Sequence, residues 1–216
     1  MIKSILASVT NSLRSSLKTN PEPSVEIPLF PLGSVLFPGG TMALKIFEQR
    51  YLEMAKTSLK TGSPFGIALI SEGEEVGIPA VSESIGTIAH VTGWDMQNLG
   101  VLQLRVKGTE RFQLLSQSIS RNGLITGEIS ILPNDMHIDC PEHTACAEFL
   151  RNIFAQTSAD STPDEQRFDD AGWVGFRLTE LLPFNSAIKQ KMLELTDARI
   201  RLEIIYRFLK DQQLIG

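Results

Sequence analysis

The chain has 216 residues, 42% of them hydrophobic and 21% charged, with a formal net charge of -5. That is enough apolar material for one sizeable core or two smaller ones, which excludes global disorder. The negative balance disfavours partners bound through many phosphates, Cys140 and Cys146 are too few for a disulfide framework and suit a reducing, cytoplasmic setting, and no apolar run approaches the roughly 20 residues that span a bilayer.

Ile2, Ile5, Leu6, Val9, Leu13 and Leu17 fall at helical spacing among Lys3, Arg14 and Lys18, with no acid in the first twenty residues. This segment carries +3 and leaves -8 for the remainder. It lacks the continuous apolar stretch of a secretory signal and predicts an amphipathic helix docked on the body or on a second subunit. A membrane surface or an organelle presequence are the other readings. Asn20-Pro-Glu-Pro-Ser24 reads as a linker, so residues 1–24 form an N-terminal segment.

From residue 25 the texture becomes strand-like. Pro28, Pro31 and Pro38 lack amide donors, which predicts short, edge-like extended pieces broken by turns at Gly33 and Gly39-Gly40. A helix is expected over 48–59, with Tyr51, Leu52, Ala55 and Leu59 as its apolar stripe and Gly62 and Pro64 beyond its end. Strands follow over 65–70, 84–94, 101–116 and 124–132. Leu102, Leu104 and Val106 alternate with Gln103, Arg105 and Lys107, the period-two signature of a half-buried strand. Frequent glycines favour a curled, partly closed barrel over a flat sheet.

From Pro141 the period becomes helical. Ala145, Cys146, Phe149, Leu150, Ile153 and Phe154 mark one stripe; Val174, Leu178, Leu181 and Leu182 a second; Ile188, Met192 and Leu195 a third; Ile200, Leu202, Ile204, Ile205, Phe208 and Leu209 a fourth. The acid-rich stretch 157–170 reads as a solvated loop. The expected division is a β-rich unit over 25–136 and a four-helix unit over 137–216.

Several constellations carry possible chemistry. His137, Cys140, His143 and Cys146 offer zinc ligands at a spacing of three, which would make a metal-dependent enzyme. Steps of three drift by about 60° around a helix, so the four do not share a face. The reading adopted is a core cysteine with surface histidines and no metal. Ser186-Ala-Ile-Lys189 and Lys60-Thr-Gly62 match fragments of penicillin-recognising serine enzymes, but in reversed order, and capping explains Ser186 better. Arg105, Lys107 and Arg111 hint at RNA, yet Glu110 interrupts them and no aromatic-rich basic groove accompanies them. Trp94-Asp-Met-Gln-Asn-Leu-Gly100 reads as a hairpin loop carrying large apolar residues near solvent, a frequent mark of a contact surface.

The strings Ile27-Pro-Leu-Phe-Pro-Leu-Gly-Ser-Val-Leu-Phe-Pro-Gly-Gly40, Phe47-Glu-Gln-Arg-Tyr51, Phe65-Gly-Ile-Ala-Leu-Ile70, Ile85-Gly-Thr-Ile-Ala-His90, Val106-Lys-Gly-Thr-Glu-Arg-Phe112, Leu178-Thr-Glu-Leu-Leu-Pro183 and Lys189-Gln-Lys-Met-Leu-Glu194 occur in an order that resembles the N-terminal domain of Lon proteases. The likeness covers nearly all of 25–210; Gln49 departs from it, standing where a proline is expected. It implies an α+β fold: a PUA-like, partly closed β-barrel with one inserted helix, followed by a C-terminal four-helix bundle. It also implies substrate handling rather than catalysis. No G-x-x-x-x-G-K-[ST] phosphate cradle is present, and the chain has no room for the ATPase and Ser/Lys peptidase modules of a full Lon protease. The expectation is a non-catalytic, cofactor-free, polypeptide-binding module, with an adaptor or chaperone-like role in quality control. RNA binding and a metal-dependent enzyme are the alternatives. Unfolded or extended polypeptide is the expected partner, with self-association through the N-terminal helix as a second. Phe37, Phe47 and Tyr51 would line the groove, with Trp94 and Met96 at its rim. That groove is expected between barrel and bundle, or at an open sheet edge.

Overall fold

The computed structural model describes residues 24–98, 100–133, 141–157 and 166–215. The expected N-terminal helix and linker over residues 1–23, and His137 and Cys140, lie outside these. Two compact units divide the described chain, one ending at Pro133 and one beginning at Pro141. No helix among the described residues is long and apolar enough to cross a membrane.

The first unit holds β1 (Val25–Leu32), β2 (Thr41–Ile46), α1 (Gln49–Thr61), β3 (Phe65–Glu72), β4 (Val81–Asn98), β5 (Val101–Ile119) and β6 (Ile125–Ile131). The strand order is β2-β5-β4-β3-β1-β6, and β6 pairs back onto β5. Five strands thus pair in a ring, a partly closed barrel, while among the described residues β2 pairs with β5 only. Among the described strands only the β1 and β3 pairing is parallel.

The proline-rich opening corrects the expectation of edge-like pieces, because β1 is one continuous strand with a neighbour on each side. Residues 25–29 pair with β6 and residues 29–32 with β3, so Pro28 and Pro31 each belong to a single ladder. A missing donor on the other flank therefore removes no hydrogen bond. Inside the barrel, Phe112 is fully buried and lies against two glycines of neighbouring strands. A Cβ at Gly66 would stand 2.9 Å from its ring, and one at Gly86 would run into the ring and come within 2.6 Å of the Ile67 carbonyl.

Helix α1 packs on a second cluster of this unit, with Phe30, Phe65, Leu104 and Val106. Its buried face is Tyr51, Met54, Ala55 and Ser58, an i, i+3, i+4, i+7 set. The expected stripe was rotated: Leu59 is exposed and Met54 was missed. Tyr51 meets Phe30 edge-on at 4.4 Å between ring centroids. Gln49 occupies the first helical position, where a proline is tolerated for want of an intrahelical donor role, and its amide donates to Glu53 at 3.1 Å. Gly62 ends the helix at φ 72°, donating to Ser58 O at 2.8 Å.

The second unit packs α2 (Pro141–Gln156), α3 (Ala171–Leu181), α4 (Ser186–Glu194) and α5 (Ala198–Asp211) around Cys146, Leu150, Val174, Leu178, Met192, Leu202, Ile205 and Leu209. Asp170, Asn185 and Asp197 cap the last three helices, accepting from the amides of Trp173, Ile188 and Arg199. Asn185 thus takes the role expected of Ser186, which is the first helical residue. Arg201 is fully buried: Nε donates to Met192 O at 3.0 Å, a second nitrogen donates to Leu195 O, and the guanidinium lies 3.9 Å from the Phe176 ring centroid. It satisfies carbonyls at the end of α4 that no helical amide reaches. Leu181 is exposed, unlike the rest of its stripe.

Arg177 and Glu180 form an ion pair at 2.7 Å on α3. Burial pushes the Glu180 carboxyl up to about 7, against the opposing pull of Arg177 and Lys189. Phe168, at the end of the predicted solvated loop, packs beside Trp173 at 5.5 Å and Phe154 at 6.0 Å. That end of the loop is therefore anchored, and residues 158–165 lie outside the described residues.

Candidate functional site

Strand β2 ends in a solvent-open cleft of about 420 Å³ within the β-rich unit. Its walls come from Phe30, Pro31 and Leu32 of β1, from Met42 to Ile46 of β2, and from Phe47, Glu48 and Tyr51 at the start of α1. Glu75 and Val76, from the turn between β3 and β4, form the remaining wall. Two of the lining residues are large apolar side chains left in solvent, Phe47 at 54% exposure and Val76 at 53%. The charged lining is sparse: Lys45, Glu48 and Glu75.

Local bonds hold these walls. Glu75 Oε1 accepts from the Gly33 amide at 2.6 Å, tying the β3–β4 turn to the loop after β1. Arg50 pairs with Glu48 at 3.0 Å, donates to Gly123 O at 3.2 Å and stacks 4.6 Å from the Tyr51 ring centroid. Burial holds the Tyr51 phenol above its usual range, so it is a neutral hydroxyl at physiological pH. A smaller cleft of about 290 Å³ lies further along α1, lined by Pro28, Glu53, Met54, Asn122 and their neighbours.

The open flank of β2 has a definite phase. Gly39, at φ 73°, donates to Gly108 O, and Gly108 donates to Gly40 O, both at 2.8 Å, the pattern of a glycine bulge at the head of the ladder. Counting from it, Met42, Leu44 and Ile46 exchange bonds with Val106, Leu104 and Leu102. The amides and carbonyls of Thr41, Ala43 and Lys45 turn away from β5, and among the described residues no strand receives them.

Of the five aromatic and methionine residues expected at a groove, Phe47 and Tyr51 meet in this cleft, Phe47 on its rim and Tyr51 almost wholly buried in its floor. Phe37 has no exposed surface and belongs to the core, a correction to its expected lining role. Trp94 (62% exposed) and Met96 (50%) project from the far end of β4 and line neither cleft. They sit in a strand that runs to Asn98, not in the expected loop. Val76 and Met42 were not anticipated. The signal for Val76 was a lone branched apolar residue in the acidic, glycine-flanked run Gly73-Glu-Glu-Val-Gly77.

Several described members of the other constellations have structural partners. His143 is buried, not at the surface as expected, with Nε2 2.8 Å from Phe168 O, and Cys146 is a core residue. Arg111 is buried and donates to Pro133 O at 3.3 Å, which removes it from the exposed strip of Arg105 and Lys107. Lys189 donates to Glu180 O at 2.8 Å. Among the described residues no group of three or more His, Cys, Asp or Glu side chains could hold a metal ion.

The model of the ATP-dependent protease La (LON) substrate-binding domain matches residues 26–211. The chain belongs to this family. Among solved structures, a Lon N-terminal domain protein from Xanthomonas campestris is similar at 37% identity and a TM-score of 0.70, over 83% of this chain and 95% of that one. The N-terminal domain of the Mycobacterium avium complex Lon protease matches with a TM-score of 0.65 over 87% of this chain and 99% of that one. At 16% identity, the second likeness is one of fold. No curated protein matches the sequence. The Lon-type α+β fold with its partly closed barrel is therefore the one the sequence strings implied.

Proposed function

We propose that this Lon substrate-binding-domain protein is a non-catalytic module that binds unfolded or extended polypeptide, and that it serves as an adaptor or chaperone-like factor in a reducing, cytoplasmic compartment. The observation that carries the reading is the cleft beside β2, which sets solvent-exposed Phe47 and Val76 against an apolar floor. Neighbouring large apolar side chains held in solvent at a concave site stabilise a partner's apolar residues by burial. The sparse charge of the lining suits clients of varied sequence. Within the expected division, the work falls to the unit over 25–136. Trp94 and Met96 form a second exposed apolar spot on the same unit, and residues 1–20 supply a route to self-association.

Fluorescence anisotropy with a permanently unfolded, reduced and carboxymethylated globular protein tests the reading. The wild type should bind. Phe47→Ser with Val76→Ser should weaken binding by about tenfold, equivalent to about 1.4 kcal/mol. Absence of wild-type binding to any unfolded chain overturns it.

A further inference from the structure

We infer that the client is held as an added β-strand on the open flank of β2, bonded through its backbone to Thr41, Ala43 and Lys45. This deepens the polypeptide-binding reading and rests on it. The phase set by the Gly39 bulge points the N–H and C=O groups of those three residues outward, while the intervening residues are committed to β5. In the described structure nothing bonds to the outward groups, yet Ala43 and Lys45 also line the cleft. Strand edges of this kind present donors and acceptors in a fixed alternation that only another extended backbone matches. The six residues of β2 span about 20 Å, room for five or six client residues.

Side-chain placement fits the same occupant. Along an added strand, successive side chains alternate between faces. One face would follow Met42, Leu44 and Ile46 towards the apolar side, where Phe47 and Val76 stand at the cleft margin; the other would follow Thr41, Ala43 and Lys45 into solvent. The preferred client is therefore an extended segment with apolar residues at every second position and no proline on the bonded register.

The test uses the full-length protein and a fluorescein-labelled octapeptide of alternating valine and serine flanked by lysines. Two further versions carry backbone N-methyl groups, one on the valines and one on the serines. N-methylation on the register facing β2 should weaken binding at least tenfold, whereas methylation on the other register should leave affinity within twofold of the parent. Ala43→Pro removes one outward donor without touching the β5 ladder and should reproduce the loss. Equal binding of all three peptides overturns the strand-addition inference while leaving the polypeptide reading intact. Failure of the parent peptide and of every unfolded chain to bind the wild type overturns both. If Ala43→Pro instead converts a wild-type dimer into a monomer without altering peptide affinity, the edge joins two copies of this chain, and the inference is overturned.

Discussion

Strands β2 and β6 lie along the same flank of β5, β2 against residues 102–107 and β6 against residues 112–119, yet among the described residues only β6 has a second neighbour. In the β6 half, every strand is paired on both sides and Phe112 fills the interior against glycines. In the β2 half, the ladder stops, and its outward backbone groups border a cleft. The difference teaches that one long strand has two surroundings: its C-terminal half is built into the ring of the barrel, and its N-terminal half carries a strand whose outer edge pairs with no described strand.

The largest effects should come from breaking the closed half. Phe112→Ala should cost about 3–5 kcal/mol of stability in urea denaturation, because a fully buried ring leaves a cavity between Gly66 and Gly86 that those glycines cannot fill. Gly86→Ala attacks the same contact from the opposite side and should cost about 1–3 kcal/mol by overpacking. If either variant unfolds at the wild-type urea concentration, the barrel is not sealed at this point.

A pH series separates the helical unit from both halves of the sheet. The Glu180 carboxyl, raised by burial from 4.5 to about 7, favours the folded state most when protonated. Its contribution is fully present below about pH 4.5 and is lost as pH rises to about 7, on the order of 1–3 kcal/mol. Trp173 fluorescence in a Trp94→Phe background should follow this decline, and Glu180→Gln should flatten it. A slope of opposite sign would show that the Arg177 pairing outweighs burial.

Smaller effects belong to the open half. Glu75→Ala removes the 2.6 Å bond to the Gly33 amide and should cost about 1 kcal/mol or less, since the site is exposed, while weakening polypeptide binding through a loosened wall. Phe47→Ser should leave stability within about 0.5 kcal/mol, because the side chain is already half in water. A loss as large as that of Phe112→Ala would erase the distinction between the two halves.

Much of this fold was legible from local pattern. The alternation around Leu102, the helix ended by Gly62 and the stripes after Pro141 all report periods of two or 3.6, which a short window contains. Helix phase was harder: Tyr51 belongs to any reading of α1, but choosing Met54 over Leu59 depends on what the helix packs against. The site was less legible still. Phe37 and Phe47 are aromatic residues ten positions apart in similar company, and what buries one and exposes the other is tertiary packing that no short window contains. The open flank of β2 left no sequence mark, because an unpaired edge is defined by the absence of a neighbour from elsewhere in the chain.

The most direct measurement is an amide-resolved NMR titration of the protein with an unfolded polypeptide. The account predicts perturbations concentrated at Thr41, Ala43, Lys45, Phe47 and Val76, with slowed hydrogen exchange at Ala43 and Lys45. Perturbations confined to the Trp94 end of β4 or to helices α2 to α5, with the β2 amides unchanged, would contradict it.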